Sequence, residues 1–362
     1  MPVKVSDSVK HLRSRAFITV APHRNPGALA GQLYLPESLL IGGALVVVLH
    51  GCTQTGLDYA DATGWLQLAD RDGFAVLIPQ QRRSNNANLC FNWFEPGDTT
   101  RGQGEAASIK AMIDWTVERH DVDAAQIFVT GLSAGAAMAG TMLATYPEVF
   151  AGGALIAGLP FGVAASVPAA LQQMRNGPRE TASQLGERVR AASDHSGSWP
   201  RVAIFHGTAD HTVSSTNGEA TVAQWLAVHD MSGIAPVIET NAKFRKQSWR
   251  DASDVVQVEY VEIQRMGHGA PIDRSGAAGV GYLAPYVLDV GIGSSEYLVA
   301  FWGIAPGVKR SMLRTIDKPA AIPTRTAAPG LQPHSQLSHQ QNAENGVAKV
   351  INDALQAAGL LK

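Results

Sequence analysis

The chain has 362 residues, of which 45% are hydrophobic and 17% are charged, and its formal net charge at pH 7 is -2. This length allows two modest domains, but one large α/β domain with a buried core and a short tail is the favoured interpretation. The near-neutral charge, without a stripe of Lys and Arg, argues against a nucleic-acid or anionic-membrane partner, and no apolar run is long enough to span a membrane.

The first part of the chain predicts strands that alternate with helices. Residues 15–21 and 32–36 are expected to form an antiparallel pair around a turn rich in Gly and Pro. GALVVVLHG (43–51) is a continuous apolar run, as is typical of a strand buried on both faces. A helical pattern over 59–73 and a further buried strand over 74–79 follow.

The middle of the chain continues this alternation after a long polar stretch, 80–104, whose length suggests a functional or mobile loop. Between 158 and 201 lies an excursion with two short predicted helices, which the sheet does not need, and we interpret it as a cap or wall of a site. The alternation predicts a mostly parallel sheet with helices on both faces. The remaining predicted elements are helices after 104 and 133 and strands at 126–131, 152–158, 201–207 and 255–261.

The last part of the chain has a different composition. Residues 311–346 are rich in Pro, Ser, Gln and Thr and are predicted to be a linker. Residues 347–362 place their apolar side chains on one helical face, so a terminal amphipathic helix that docks on the main domain is expected. The predicted organisation is therefore one large α/β catalytic domain over 1–310, with a cap-like excursion over 159–200. The linker and the terminal helix follow it.

A single serine lies in the stretch Gly131-Leu132-Ser133-Ala134-Gly135, which fits the pattern G-x-S-x-G between a predicted strand and a predicted helix. In that context the pattern predicts a sharp turn that exposes the hydroxyl beside a backbone N–H, as a nucleophile requires. The alternative is a serine that merely caps the helix. Because a serine alone is a weak nucleophile, a base and an orienting acid should follow along the chain.

Two later loops supply candidates for these partners. Asp210 follows the buried strand over 201–207, and His268 lies in a glycine-flanked loop after the strand over 255–261. The order Ser, Asp, His is that of the α/β-hydrolase triad, although each residue alone is more simply explained as a loop cap or a surface side chain. His211 is kept as a reserve base and His206 as a residue that supports the loop, whereas Asp194, Asp254 and Asp273 lack a preceding buried strand.

An acyl-transfer site also needs two backbone N–H donors for the oxyanion. Ala134, directly after the serine, is the first candidate. The early loop VVVLHGCTQTG provides Cys52 as the second, with His50 and Gly51 shaping the turn. The only two cysteines, Cys52 and Cys90, have no metal-ligand spacing and are either free buried thiols or one disulfide.

The stretches LHGCTQT, LCFNWFEPGD, GLSAG, FHGTAD, MGHGAP and LDVGIGSSEYLVAFWG, in this order over residues 30–305, resemble the poly(3-hydroxybutyrate) depolymerase family of esterases. This family is related to feruloyl and acetylxylan esterases. The resemblance implies an α/β-hydrolase fold, a triad of Ser133, Asp210 and His268, an oxyanion donor at Cys52 and a disulfide between Cys52 and Cys90.

The resemblance also raises the question of the substrate groove. The aromatic side chains of Trp93, Phe94, Trp199 and Tyr282 are candidates for lining an acyl or hydroxyacyl groove, with core packing as the alternative. The expected substrates are poly(3-hydroxybutyrate) or its oligomers, or else the acylated carbohydrates of feruloyl and acetylxylan esterases. The predicted disulfide and the resemblance favour an extracellular or periplasmic location, whereas the first 22 residues predict no signal peptide, which leaves the cytoplasm as the alternative.

No metal or organic cofactor is predicted, because the chain contains neither HExxH nor a P-loop. The pattern Gly102-x-Gly104-x-x-Ala107 is close to a dinucleotide fingerprint but follows no buried strand. Two other classes of function are possible for such a chain, namely a non-catalytic carbohydrate- or polymer-binding module and a thiol redox protein that uses Cys52 and Cys90. Neither explains three triad candidates in the required order.

Overall fold

A ten-stranded sheet forms the centre of the computed structural model, which describes residues 15–275 and 279–304. The order of the strands across this sheet is β1-β2-β4-β3-β5-β6-β7-β10-β9-β8. The strands are β1 (Phe17–Thr19), β2 (Ala30–Tyr34), β3 (Gly43–Leu49), β4 (Ala75–Gln80), β5 (Val122–Leu132), β6 (Gly152–Ile156), β7 (Arg201–Gly207), β8 (Val237–Thr240), β9 (Phe244–Arg250) and β10 (Val256–Ile263). Two short strands, β11 (Ala270–Ile272) and β12 (Val287–Asp289), form a separate parallel pair.

The six central strands are parallel and the edges are antiparallel. Strands β4, β3, β5, β6, β7 and β10 run in one direction, as the alternation of the sequence predicted. The predicted antiparallel pairing of β1 with β2 is confirmed. At the opposite edge, β9 and β8 pair antiparallel and were not predicted. The short β8 is exposed throughout, and the charge-rich β9 is mostly half-buried, so neither gives a buried apolar run.

Helices cover both faces of the sheet, so the central strands are buried on both sides. In β3, Leu45, Val47 and Leu49 belong to one apolar core and Val46 and Val48 belong to the other. This explains why β3 reads as an unbroken apolar run. The helices are α1 (Gly56–Ala62), α2 (Trp65–Asp72), α3 (Pro96–Thr99), α4 (Gly104–Arg119), α5 (Ala134–Thr145), α6 (Val167–Asn176), α7 (Ala182–Arg190), α8 (Thr216–Val228) and α9 (Ser294–Trp302).

The helix predicted over 59–73 is wrong in one respect, since the structure has two helices there, α1 and α2. Gly64 separates them with a left-handed φ of 83°, a conformation that glycine adopts without steric cost. The sequence pattern hid the break because apolar residues continue across it. Gly73 ends α2, as the sequence predicted.

The excursion over 159–200 carries α6 and α7 and is tied to the main body. Asn217 donates from Nδ2 to the backbone oxygen of Gln173, near the end of α6 (2.9 Å). Gly186 of α7 approaches α8 so closely that an added Cβ would lie 2.7 Å from the Ala227 Cβ. The predicted linker and terminal helix lie outside the described residues, and no helix within 15–275 and 279–304 is long and apolar enough to cross a membrane.

Candidate active site

Ser133 lies at the sharp turn between β5 and α5. Its φ of 56° and ψ of -117° are unusual for a residue that carries a side chain. Such a backbone conformation costs on the order of 1–3 kcal/mol and persists only where the surroundings enforce it. The turn puts the hydroxyl at the carboxyl edge of the parallel strands and at the amino end of α5, as the G-x-S-x-G pattern predicted.

The two glycines of this pattern are required by close backbone approach. A Cβ on Gly135 would lie 2.3 Å from the backbone oxygen of Leu49, and one on Gly131 would lie 2.4 Å from the carbonyl carbon of Gly135. Real Cβ atoms do not come so close to rigid backbone atoms. The small residues therefore let α5 begin directly against the end of β3.

Asp210 and His268 are in direct contact at the same edge of the sheet. His268 Nδ1 lies 2.7 Å from Asp210 Oδ2, although the two residues are 58 positions apart. The other carboxylate oxygen, Oδ1, accepts from the backbone N–H groups of Thr212 and Val213, both at 2.9 Å. The side chain of Asp210 is fully buried, so these contacts fix the carboxylate and leave it little freedom to move.

A second histidine lies on the same carboxylate. His206 Nε2 is 3.5 Å from Asp210 Oδ2. Burial by itself would raise the pKa of Asp210, but the contacts with His206 and His268 outweigh it and hold that pKa well below the usual range of a carboxyl group. Asp210 is therefore an anion at any pH at which the protein would work.

Ser133 and His268 line the same pocket. No hydrogen bond joins the Ser133 hydroxyl to another side chain within the described residues, and such contacts are often long in an unliganded enzyme. Of the two side-chain hydrogen bonds that the predicted triad needs, the one between His268 and Asp210 is formed.

The backbone N–H groups of Cys52 and Ala134 are both available to an oxyanion, because neither donates to an acceptor in the part of the chain that the structure describes. His50 orients the first of them. Its Nδ1 lies 2.8 Å from the carbonyl oxygen of Gly51, and this carbonyl belongs to the same planar peptide unit as the Cys52 N–H. In a trans peptide the two groups point in opposite directions, so holding the oxygen aims the N–H.

The side chain of His50 is neutral. Burial lowers the pKa of His50 to about 4, against the smaller effect of its bond to the Gly51 carbonyl. Its other nitrogen, Nε2, accepts from the backbone N–H of Gln81 at 3.2 Å. Since a carbonyl only accepts, the hydrogen is on Nδ1, and both ring nitrogens are used.

The predicted disulfide between Cys52 and Cys90 is present. It ties the oxyanion loop to the long loop that follows β4. Beneath that loop, Gln81 donates from Nε2 to the carbonyl of Cys90 (2.9 Å) and to Glu105 Oε1 (2.5 Å). Asn92 N donates to Glu105 Oε2 at 2.8 Å.

Glu105 is buried, and no Lys, Arg or His of the described residues forms an ion pair with it. Burial, with Asp98 nearby, raises the pKa of Glu105 to about 8, although its bonds from Asn92 and Gln81 oppose this. The loop that carries Cys90 is thus held by a disulfide on one side and by a buried carboxyl group on the other.

Several residues of the pocket were not identified from the sequence. Met174 comes from the excursion, so the interpretation of that segment as a wall of the site fits the structure. No local pattern marks the others, because their place depends on how distant loops pack. The residues that line the pocket with Ser133 and His268 are Gly51, Cys52, Thr53, Leu132, Met174, Thr212 and Tyr286.

The four aromatic residues predicted for a substrate groove lie elsewhere in the described chain than this pocket lining. Trp93 and Phe94 contact each other edge to face and pack in a small core with Ala134, at the start of α5. Trp199 packs against His195 and the main core. The Tyr282 hydroxyl donates to Asp61 Oδ2 at 3.1 Å. Their contact with a longer substrate stays a prediction.

Comparison with known proteins agrees with this architecture. Residues 29–243 match the family model described as Esterase PHB depolymerase. The chain is 43% identical over 282 residues to poly(3-hydroxyalkanoate) depolymerase C of Paucimonas lemoignei, a match that covers 77% of this chain and 68% of that protein. It is 31% identical over 255 residues to a probable acetylxylan esterase A of Aspergillus flavus, with 68% and 82% covered.

A solved structure is similar in fold. The acetyl xylan esterase from Aspergillus awamori matches with a TM-score of 0.68 and 24% identity, over 80% of this chain and 100% of that one. The predicted α/β-hydrolase fold is therefore confirmed, with a sheet that is mixed at its edges.

Proposed function

The chain belongs to the esterase PHB depolymerase family, and on that premise we propose that it hydrolyses poly(3-hydroxybutyrate) or its oligomers with Ser133, His268 and Asp210 as its triad. The observation that carries the proposal is the contact of 2.7 Å between His268 Nδ1 and Asp210 Oδ2 in a pocket that Ser133 also lines. This arrangement supplies a nucleophile, a base and an orienting anion for acyl transfer.

In the first step, the Ser133 hydroxyl attacks the ester carbonyl while His268 Nε2 takes its proton. Asp210 holds the hydrogen on His268 Nδ1 and stabilises the imidazolium that forms. The carbonyl oxygen becomes an anion, which the N–H groups of Cys52 and Ala134 bind. The ester bond then breaks, and the imidazolium gives its proton to the departing alcohol, which is the hydroxyl end of the remaining polyester.

In the second step, water hydrolyses the 3-hydroxyacyl ester on Ser133. His268 accepts a proton from the water as it attacks the acyl carbonyl, and the same two N–H groups bind the second oxyanion. When the tetrahedral intermediate collapses, the proton returns to the serine oxygen and the free hydroxy acid leaves. The amino end of α5 adds a favourable field for both oxyanions.

The pocket walls support a small aliphatic acyl group. Leu132, Met174 and Tyr286 are apolar or aromatic members of the lining, and Thr53 and Thr212 are its hydroxyl-bearing members. A 3-hydroxybutyryl unit has this character, with a short carbon chain and one oxygen substituent. The match of 43% identity to a polyhydroxyalkanoate depolymerase supports the same class of substrate.

A second candidate is the hydrolysis of acetyl groups from xylan. It is favoured by the relative at 31% identity whose name states that activity. An acetyl group is smaller than a hydroxybutyryl group and would fit the same pocket. The two candidates differ in the alcohol, which is a polyester end in one and a sugar hydroxyl in the other.

Initial rates of the wild type and of Ser133→Ala test the proposal on five substrates: hydroxybutyrate oligomers, amorphous poly(3-hydroxybutyrate) granules, acetylated xylan, methyl ferulate and p-nitrophenyl butyrate. We expect release of hydroxybutyrate by the wild type and a loss of at least about 10³-fold in Ser133→Ala. A clear preference for acetylxylan or ferulate would reject the polyester and support the carbohydrate esterases. Equal rates of both proteins on the activated ester would reject the triad.

A further inference from the structure

His206 has a hydrogen-bonding arrangement that the triad does not use. It is the last residue but one of β7 and is 1% exposed. Its Nε2 lies 2.9 Å from the carbonyl oxygen of Val213 and 3.5 Å from Asp210 Oδ2. Because a carbonyl oxygen can only accept, Nε2 carries the hydrogen. This single N–H therefore donates to the loop after Asp210 and also lies near the carboxylate itself.

In the neutral ring the other nitrogen of His206, Nδ1, is then an acceptor. It is buried, and it has no hydrogen-bond partner among the described residues. The hydroxyl of Tyr260, in β10, is buried and unpartnered in the same way. Two buried polar groups without hydrogen bonds would lower the stability of the fold. Their relative position therefore indicates whether one shared partner can satisfy both.

Gly218 of α8 brings these two atoms to one place. A Cβ on Gly218 would lie 2.9 Å from His206 Nδ1 and 2.9 Å from the Tyr260 hydroxyl. The two polar atoms therefore lie no farther apart than twice this distance, a span that one water molecule can bridge. Any side chain at 218 would crowd both polar atoms, so a glycine is needed where α8 passes them.

The Tyr260 hydroxyl is able to donate. Burial raises the pKa of Tyr260, and the nearby Glu262 and Glu219 raise it further, while Arg245 opposes them. The phenol therefore keeps its hydrogen. The charged groups of the neighbouring elements do not ionise it.

We propose that His206 is a positioning residue for Asp210, and that Tyr260 completes its hydrogen bonding from behind through one water molecule held beside Gly218. The water donates to Nδ1 and accepts from the phenol, which polarises the ring and strengthens the N–H that faces Asp210. The role of His206 in catalysis rests on the proposed function, because it acts through Asp210. The water site stands on its own geometry.

The water site is tested by long-range proton–nitrogen NMR spectra of the full chain labelled with ¹⁵N-histidine. We expect the Nε2–H tautomer for His206 and an Nδ1 resonance typical of a hydrogen-bonded acceptor. Tyr260→Phe and Gly218→Ala should each move that resonance towards a free acceptor, and the double variant should move it no further. Tyr59→Phe, which removes another buried unpartnered hydroxyl, should leave it unchanged. An Nδ1–H tautomer, or no response to Tyr260→Phe, would overturn the site.

The positioning role is tested by the pH dependence of kcat/KM. Without the His206 N–H, Asp210 becomes a stronger acceptor for His268 and stabilises its imidazolium, so His206→Leu should move the acidic limb up by about half a pH unit. His206→Gln keeps a donor at the same place and should restore the wild-type limb. His229→Leu is the control, because the Nε2 of that half-buried histidine also faces a carbonyl, that of Pro200 (3.1 Å), but not Asp210.

These outcomes separate the two proposals. If His206→Leu and His229→Leu both lower thermal stability and neither moves the acidic limb, the positioning role is rejected while an inactive Ser133→Ala still supports the triad. If Ser133→Ala keeps full activity, the proposed function is rejected and the NMR result on the water site is unaffected.

Discussion

The contact between His50 and the Gly51 carbonyl allows catalysis and stability to be changed separately. His50→Gln places an amide near the position of Nε2, where its oxygen can still accept from Gln81 N, but it leaves the Gly51 carbonyl without its donor. His50→Asn places an amide near the position of Nδ1 and does the opposite. We therefore expect His50→Gln to lose activity and His50→Asn to lose stability.

The magnitude follows from the geometry of the oxyanion loop. Loss of a whole oxyanion donor costs about 10²–10³ in kcat. The Gly51 peptide keeps partial support from Gln54, whose N–H reaches the Gly51 carbonyl at 3.4 Å and whose Oε1 accepts from Gly51 N at 2.9 Å. We expect kcat of His50→Gln to fall by about 10 to 100-fold, or about 1.4–2.7 kcal/mol in the barrier.

The stability effect has a different origin. In His50→Asn the buried N–H of Gln81 has no acceptor, which costs about 1–3 kcal/mol in the free energy of unfolding. Because the pKa of His50 is lowered to about 4, the wild type should lose stability as the pH falls from about 6.5 towards 4, and both variants should lack this part of the decline.

The assay is kcat and KM on p-nitrophenyl butyrate together with urea unfolding between pH 4 and 8. Ala134, the other donor, is unchanged in both variants, so residual activity is expected in each. Equal losses of kcat in the two variants, or a wild-type kcat in His50→Gln, would show that His50 does not aim the Cys52 N–H.

Three further predictions concern the frame of the site. Gly135→Ala should abolish activity and soluble expression, because its Cβ would meet a backbone atom at 2.3 Å. At Gly140 an added Cβ would meet nothing nearer than 3.7 Å, so Gly140→Ala should keep activity and raise the free energy of unfolding by up to about 1 kcal/mol. Reduction of the disulfide, or Cys90→Ser, should lower the free energy of unfolding by about 3–4 kcal/mol. It should also lower kcat, because the loop that carries the Cys52 N–H loses its support. An unchanged kcat in a folded protein would contradict this. The raised pKa of Glu105 means that stability should fall as the pH rises from about 4.5 to about 8, and Glu105→Gln should remove that slope in urea titrations at a series of pH values.

Much of the architecture could be predicted because its signals are local. The run over 43–51 predicted a strand buried on both faces, and strand β3 has that environment. The pentapeptide around Ser133 predicted the turn, because only glycines allow the backbone contacts found there. By contrast, β8 and β9 were missed, since the exposed edge strand β8 needs no apolar period and the half-buried β9 beside it is rich in charged residues.

The candidate site also contains residues that the sequence identified and residues that it did not. Chain order was enough to nominate Ser133, Asp210 and His268, because each follows a strand whose carboxyl end must lie at one edge of a parallel sheet. The sequence did not reveal that Met174 reaches the same pocket from an excursion. It also gave no basis for choosing between core and groove for Trp199, which packs against the main core.

The sequence by itself determined the α/β architecture, the turn at Ser133 and the order of the three candidate residues, because apolar periodicity and glycine-dependent turns act over a few neighbouring positions. Only the tertiary structure decided that Asp210 meets His268 and His206, that His50 contacts the Gly51 carbonyl, and which side chains wall the pocket. Those contacts depend on distances between elements far apart in the chain, and these distances are set by the packing of the whole sheet and its helices.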